Sequence, residues 1–79
     1  MKRYHVEVKP KHGIFDPAGK QAQNGLANLG FTDVLEVRIG RSIKIKTGDA
    51  TSYDDVVAMC ERELVNPVIE DYFVEEVFE

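Results

Sequence analysis

Strict alternation of apolar and polar residues marks the start of the chain. Over residues 3–9 the apolar side chains are Tyr4, Val6 and Val8, and charged or polar side chains separate them. Successive side chains of a β-strand point to opposite faces, so this pattern predicts a strand with one buried and one solvent-facing side.

A helix is predicted to begin at Asp16-Pro17. An aspartate accepts hydrogen bonds from the free N–H groups of the first turn, and proline loses nothing at the first helical position. Apolar residues then recur every three or four positions, and Gly30 can adopt the positive φ that commonly follows a helix. The pattern predicts a helix over residues 17–29 with an apolar stripe of Ala18, Ala22, Leu26 and Leu29.

The segment 34–47 supports two interpretations. A two-residue hairpin turn would move the lysines at 44 and 46 onto the core face, so that connection is excluded. Either residues 40–42 form a three-residue loop between two strands, or Gly40 bends one long strand and Arg41 falls on its core face. The loop, or a pronounced bulge, is favoured because an unpaired buried arginine is costly. The apolar residues behind this argument all occupy odd positions: Leu35, Val37, Ile39, Ile43 and Ile45.

A second helix and a last strand complete the pattern. Residues 51–55 read Thr-Ser-Tyr-Asp-Asp and offer two overlapping capping patterns. Asn66-Pro67 should end the helix, because the residue before a proline is pushed out of the helical conformation. Residues 72–78 favour a strand. The apolar positions of the second helix are Val56, Val57, Cys60 and Leu64.

The predicted order is β-α-β-β-α-β, or β-α-β-α-β with a long bent middle strand. Either order indicates an α+β fold with two helices packed on one face of an antiparallel sheet, related to the ferredoxin-like arrangement. We expect residues 1–79 to form a single domain.

The small size of the chain predicts that it associates with itself or with a partner. With 79 residues, a mass of 8.9 kDa and one cysteine, it has a limited core and no internal disulfide. Residues 54–79 hold nine acidic residues against one basic residue, whereas the preceding part is basic, so copies could present complementary surfaces. No apolar run approaches the ~18 residues of a membrane span and no signal peptide is evident, so we expect a cytoplasmic protein without membrane contact.

The histidines and the cysteine do not indicate a catalytic centre. His5 is expected on the outward face of the first strand and His12 in the next loop, so we expect neither to be buried beside a carboxylate or thiol. Cys60 lies on an apolar stripe, where desolvation suppresses the thiolate. The acidic residues lack the spacing of an EF-hand, and no phosphate-binding glycine pattern occurs. The sequence predicts no catalytic, cofactor-binding or metal-binding residue in this chain.

Nucleic-acid binding is disfavoured as well. The formal net charge of −4 has the wrong sign for a protein that neutralises phosphates. A sheet that binds RNA needs aromatic side chains on its exposed face to stack bases. The predicted outward positions lack them: Arg3, His5, Glu7, Glu36, Arg38, Lys44 and Lys46.

Three stretches of the chain carry a resemblance to a known family. They read Lys9-Pro-Lys-x-Gly13-x-x-Asp16-Pro17-x-Gly19, then Leu29-Gly30-Phe31 with Val37-Arg38-x-Gly40-Arg41, and finally Cys60-Glu61 with Asn66-Pro-Val-Ile-Glu-Asp-Tyr72. In this order, and over nearly the whole chain, they resemble the PurS family, the small subunit of phosphoribosylformylglycinamidine (FGAM) synthase in de novo purine biosynthesis.

The resemblance implies a complex of three proteins that acts as a glutamine-dependent, ATP-consuming C–N ligase. A glutaminase subunit releases ammonia, and a large synthetase subunit binds ATP and Mg²⁺. The small subunit bridges the other two, supports ammonia transfer and forms dimers or larger assemblies of itself. Two rival functions stay open at this point: a dimeric ferredoxin-like sensor of small molecules, and an adaptor unrelated to purines.

Two segments are the candidate subunit interface. Arg38 and Arg41 flank Gly40 at the predicted bend, where a charged pair has little to do for the fold and can bind a partner carboxylate. In the segment after the second helix, Asn66-Pro67 redirects the chain and so positions Ile69 and Tyr72 for contact with another subunit. The candidate residues are Arg38, Gly40, Arg41, Asn66, Pro67, Ile69 and Tyr72.

Overall fold

The computed structural model describes residues 1–78. Helices and strands follow one another in the order β-α-β-α-β, the second of the two predicted orders. They are β1 Lys2–Pro10, α1 Pro17–Asn28, β2 Arg41–Thr47, α2 Tyr53–Met59 and β3 Glu70–Val77, with a π-helical turn Cys60–Leu64 that continues α2.

The three strands form one antiparallel sheet in the order β2-β1-β3. Val6 in the middle of β1 stands opposite Ile43 of β2 and Val74 of β3. The alternation predicted for β1 is confirmed, because its apolar side chains are buried against α2 while their neighbours face outward. The α+β fold class is therefore confirmed. The buried core consists of Tyr4, Val6, Val8, Val56, Cys60, Val65 and Val74.

Both interpretations of segment 34–47 are wrong, because residues 40–42 form no loop between two strands and no long bent strand covers the segment. A single strand begins at Arg41 and pairs with β1, and residues 34–40 lie outside the sheet. Arg41 does stand opposite the buried Val8. The energetic objection fails because β2 begins at the end of the sheet, where the Arg41 side chain stays 51% exposed and reaches the Glu70 carboxylate at 2.9 Å.

The predicted ends of α1 are confirmed. Asp16 caps the helix by accepting a hydrogen bond from the Gly19 N–H at 3.0 Å. Its other carboxylate oxygen accepts from the Ile39 N–H at 2.9 Å. These two backbone hydrogen bonds hold the pKa of Asp16 below its ordinary value. Gly30 follows the helix with φ 99°, the left-handed conformation that glycine adopts without strain.

Helix α1 is fastened to the extended segment 34–40. The Gln23 side chain donates to the Val34 carbonyl at 2.9 Å, and a Cβ on Gly19 would lie 2.1 Å from the Val37 carbonyl oxygen. Gly19 is the only buried residue of α1, and Leu29 of the predicted apolar stripe is 76% exposed. We call residues 16–40 the α1 arm, because its apolar side chains contribute little to the core.

Helix α2 begins as predicted and ends with a wider turn. Ser52 caps it, and Asp55 completes a reciprocal capping box with the Ser52 backbone. The Val65 N–H donates to the Cys60 carbonyl at 2.8 Å, which closes the π-helical turn one residue before Asn66-Pro67. The prediction that Cys60 belongs to the core is confirmed, since its side chain is fully buried.

The outward side of the sheet differs from the prediction in two ways. Glu36 and Arg38 do not lie on this side, because segment 34–40 is not part of the sheet. Strand β3 adds Phe73, opposite Glu7, so this side does carry an aromatic residue. We call this side the open face, since all its side chains except His5 are exposed. It consists of Arg3, His5, Glu7, Lys9, Ser42, Lys44, Lys46, Asp71, Phe73, Glu75 and Val77.

Candidate functional site

The residues predicted as a subunit interface come together at one end of the sheet. Here β1 finishes while β2 and β3 begin, because both run antiparallel to β1. Val8 stands opposite Arg41 on one side and Tyr72 on the other. The Lys11 N–H donates to the Ile69 carbonyl at 2.9 Å. We call this region the exit end; its predicted members are Arg38, Gly40, Arg41, Asn66, Pro67, Ile69 and Tyr72.

Glu70 connects these residues, although the sequence analysis did not select it. Its carboxylate accepts two hydrogen bonds from Arg41 Nη2, at 2.9 and 3.0 Å, and one from the Asn66 N–H at 2.8 Å. The Asn66 N–H, followed by Arg41, holds the pKa of Glu70 below its ordinary value. The side chain is only 20% exposed. Glu70 thus joins the start of β2 to the turn that follows α2.

Arg38 reaches back to the end of β1. Its guanidinium donates to the Pro10 carbonyl, and its Nε lies 3.7 Å from the Glu36 carboxylate. Since Arg41 is also engaged within the chain, the expectation that this arginine pair has little to do for the fold is wrong. Arg41 keeps half of its side chain exposed and remains available to a partner, whereas Arg38 serves mainly to hold segment 34–40 against β1.

Gly40 allows segment 34–40 to cross β1 at close range. A Cβ at this position would lie 2.0 Å from the Val8 carbonyl oxygen. No side chain fits at that distance without a shift of the backbone. Gly40 was predicted to lie at a bend, and its close approach to the backbone of Val8 explains why a glycine is needed here.

The turn after α2 presents apolar side chains to solvent. The Asn66 carbonyl accepts from the N–H groups of Ile69 and Glu70, at 3.1 and 2.8 Å, and the Asn66 side chain accepts from the Val68 N–H at 3.1 Å. Pro67, Val68 and Ile69 are exposed within this rigid turn. Ile69 therefore does not serve the core of its own chain, and a rigid exposed apolar turn is a suitable contact for another protein.

Tyr72 joins the core to the surface of α2. Its ring packs against the edge of the core, and its hydroxyl donates to a Glu61 carboxylate oxygen at 3.1 Å. Desolvation, followed by Glu61, raises the pKa of Tyr72.

Desolvation likewise raises the pKa of the Cys60 thiol, which favours the unreactive protonated form.

His5 lies on the outward face of the first strand, as predicted, and is half-buried between two polar side chains. Its Nδ1 is 3.3 Å from a Glu75 carboxylate oxygen, and its Nε2 is 2.8 Å from the Ser42 hydroxyl. Both partners come from neighbouring strands of the open face. The sequence could not indicate this group, because the pairing register of β3 with β1 joins positions at opposite ends of the chain. His12 lies in the exposed turn after β1, as expected.

Residues 1–78 hold neither a metal-binding cluster nor a membrane-spanning helix. No group of three or more His, Cys, Asp or Glu side chains in this part of the chain is placed to hold a metal ion. No helix in the same range is both long and apolar enough to cross a membrane.

Comparisons with known proteins identify relatives along the whole chain. A family model described as PurS, phosphoribosylformylglycinamidine (FGAM) synthase, matches residues 3–77. The PurS subunit of phosphoribosylformylglycinamidine synthase from Synechocystis sp. is 38% identical over 76 residues, covering 92% of this chain and 74% of the relative. The structure of Bacillus subtilis PurS matches with a TM-score of 0.86 and 34% identity, over 99% of this chain and 100% of that one. A chain of the PurLQS structure from Thermotoga maritima matches with a TM-score of 0.79 and 29% identity, over 96% of both chains.

Proposed function

This chain belongs to the PurS family, and we propose that it is the non-catalytic small subunit of the FGAM synthase complex in de novo purine biosynthesis. The observation that carries the proposal is the family match over residues 3–77, which covers the whole fold except Lys2, the first residue of β1. Its likeness to a chain of PurLQS from Thermotoga maritima supports a role within an assembly of different subunits.

Within the complex, the chain bridges the glutaminase subunit and the large synthetase subunit and supports the passage of ammonia. We assign ATP and Mg²⁺ to the large subunit. A small domain contributes to such a reaction by holding two active sites in a fixed relation, which replaces diffusion through solvent by transfer over a defined path. We treat residues 1–79 as one domain, and place the protein in the cytoplasm, where a free thiol such as Cys60 is usual.

Reconstitution tests this role. We expect the glutaminase and synthetase subunits to need this chain for glutamine-dependent formation of FGAM, and to need it far less when ammonium salts replace glutamine. An equal dependence on the chain with both nitrogen sources would contradict a role in ammonia transfer. Glutamine-dependent rates that are unchanged without the chain would contradict the proposed function as a whole.

The exit end is our candidate surface for the larger subunits. It combines a half-exposed arginine, a rigid apolar turn and an aromatic side chain with a polar tip, which are frequent components of interface hot spots. Tyr72→Ala should weaken binding to the partners by tenfold or more at a protein concentration where the variant remains folded. Tyr53→Ala is the matched control, because Tyr53 also donates its hydroxyl within the chain, to the Val74 carbonyl, but lies on α2. Equal loss of binding in both variants would indicate a general effect of destabilisation.

The shape of the chain supports self-association through the α1 arm. The radius of gyration is 16.0 Å, whereas a compact domain of this length has a value of about 12 Å. The extents of 50 × 30 × 14 Å describe a thin, elongated molecule. Exposed apolar side chains are concentrated on and beside the arm: Ile14, Phe15, Leu29, Phe31, Leu35 and Ile39. We propose that a second copy of the chain covers them.

Leu35→Lys tests this dimer cleanly. The side chain is 88% exposed, so the substitution removes no core contact within one copy. We expect sedimentation to show a shift from dimer to monomer, with the helix and sheet content retained. Val68→Lys is the control, since Val68 is 78% exposed at the other candidate surface. An unchanged dimer in Leu35→Lys would show that the arm is not the contact.

A further inference from the structure

One corner of the open face places cationic side chains directly opposite one another. Arg3 of β1 faces Lys46 of β2, and the next pair on the same face is His5 with Lys44. Like charges opposite one another on neighbouring strands destabilise a sheet. Within residues 1–78, neither lysine forms an ion pair. Lys44 and Lys46 therefore place two positive charges on neighbouring positions of one face, although the net charge of the chain is −4.

These side chains line a groove of about 360 Å³. This volume lies within the range of sites for small molecules, roughly 300 to 1,000 Å³. Among residues 1–78, Glu75 is the only carboxylate in the lining, and it lies 3.3 Å from His5 Nδ1. We call this feature the basic groove; its lining consists of Arg3, His5, Lys44, Ile45, Lys46, Glu75 and Val77.

His5 has a fixed orientation in the basic groove. The Glu75 carboxylate lies on one side of the ring and the Ser42 hydroxyl on the other, 2.8 Å from Nε2. A ring held at both nitrogens loses little further freedom when a ligand binds beside it. The groove thus joins one oriented imidazole to the ammonium groups of Lys44 and Lys46.

We propose that the basic groove binds the phosphate group of a small phosphate ester. A phosphate dianion compensates both lysines at once, whereas a single carboxylate compensates one. Guanidinium and ammonium groups supply the charge-assisted hydrogen bonds that phosphate oxygens accept. A nucleic acid is a poorer fit: Phe73, the one aromatic side chain that strands β1–β3 place on the open face, lies opposite Glu7. The proposal does not depend on the role in FGAM synthase.

Calorimetry on the purified full chain tests the proposal with inorganic phosphate, AMP and adenosine at constant ionic strength. We expect saturable binding of AMP with a stoichiometry of one per chain, and no binding of adenosine. Comparison with inorganic phosphate shows whether the rest of the ester contributes. Lys44→Gln/Lys46→Gln should weaken AMP binding at least tenfold. Lys9→Gln/Lys20→Gln removes the same charge outside the groove and should change the affinity less than twofold.

Several results would overturn the proposal. Adenosine binding as tightly as AMP would exclude recognition of the phosphate. An equal loss of AMP affinity in the two double variants would show that only the overall charge of the chain matters. Tighter binding of a short single-stranded RNA, compared per phosphate with AMP, would identify a nucleic-acid surface instead. Urea unfolding at low salt gives an independent check: Lys44→Gln/Lys46→Gln should be at least as stable as the parent chain, and a less stable variant would show that the lysines do not repel.

Discussion

Replacing Glu70 by glutamine isolates the charge that holds the exit end together. Glutamine has nearly the same shape, so Glu70→Gln leaves the packing intact, removes the negative charge and replaces one acceptor oxygen by an NH2 donor. In the parent chain the carboxylate accepts two hydrogen bonds from Arg41 and one from the Asn66 N–H. The variant can keep the bond to Asn66 as a neutral one, and it loses the ion pair.

The magnitude follows from these contacts. The Arg41 side chain is half exposed, so the ion pair contributes ~0–1 kcal/mol. Converting the Asn66 bond from charged to neutral costs about another 1 kcal/mol. We expect the free energy of unfolding to fall by about 1–2 kcal/mol, which lowers the Tm of a domain of this size by roughly 4–16 °C. Both proteins must be compared at one concentration, because self-association adds to the apparent stability.

The pH dependence gives a second, sharper check. The pKa of Glu70 is lowered in the folded chain from its ordinary value of 4.5. Its contribution to stability is therefore fully present above that value and is lost as the pH falls through the folded pKa. Urea unfolding at pH 7 should separate the parent from Glu70→Gln, and the two should converge in acid.

Two outcomes would refute this reasoning. Equal stability at pH 7 would show that the contacts of Glu70 contribute nothing, and a gap that persists in acid would show that its charge is not the cause. Glu63→Gln is the matched control, because this glutamate is exposed on the π-helical turn. Its variant should stay within about 0.5 kcal/mol of the parent.

Two further predictions concern small side chains. Gly19→Ala should lower the free energy of unfolding by about 1–3 kcal/mol, because the new Cβ would lie 2.1 Å from the Val37 carbonyl oxygen, whereas Gly25→Ala in the same helix meets nothing within 4 Å and should raise it by about 0.5–1 kcal/mol. Urea titrations that rank the two variants in the opposite order would disprove the close approach. Cys60→Ala should cost about 1 kcal/mol and leave glutamine-dependent activity of the reconstituted complex intact, and the parent thiol should react slowly with a labelling reagent. Loss of turnover in a folded, assembled Cys60→Ala complex would assign this thiol a functional role.

Local signals in the sequence were sufficient to place most ends of the helices and strands. Asp16, Ser52 and Asn66-Pro67 act within one helical turn, so their effect does not depend on the rest of the fold. The alternation of β1 was equally reliable, because a sheet with one covered face demands it.

Segment 34–40 could not be predicted in the same way. Its alternation is the same for a paired strand and for an extended chain that lies beside a helix. The choice is made by the contacts of Gly19 and Gly40 with the backbones of Val37 and Val8, which are distant in sequence. The prediction for Arg41 was wrong for a related reason. An arginine on the core face is costly only in the middle of a sheet, and the sequence does not show that Glu70 lies close enough to form an ion pair with it.

The same distinction between local signals and contacts distant in sequence applies to the candidate site. The sequence analysis selected residues that the structure brings to the exit end, because they lie in stretches shared with a family. It missed Glu70 as the connecting group, and it missed the contact of His5 with Glu75. Both depend on how β3 is registered against the rest of the sheet, which no local pattern specifies.

The central place of β1 in the sheet affects how the protein matures in the cell. Ribosomes make β1 before the other two strands, yet Arg3 pairs with Val77 of β3, the last of the three strands to be made. At about 5–20 residues per second, roughly 3–15 s pass before that neighbour exists. A hairpin forms in about 1–10 μs, so the time needed to synthesise β3 is far longer than the time β1 needs to pair once β3 exists. For several seconds a strand with one apolar face has an unoccupied edge, which favours pairing with other nascent chains. The yield of native protein should therefore depend on the speed of translation, and copies made on one polysome should be the first to meet.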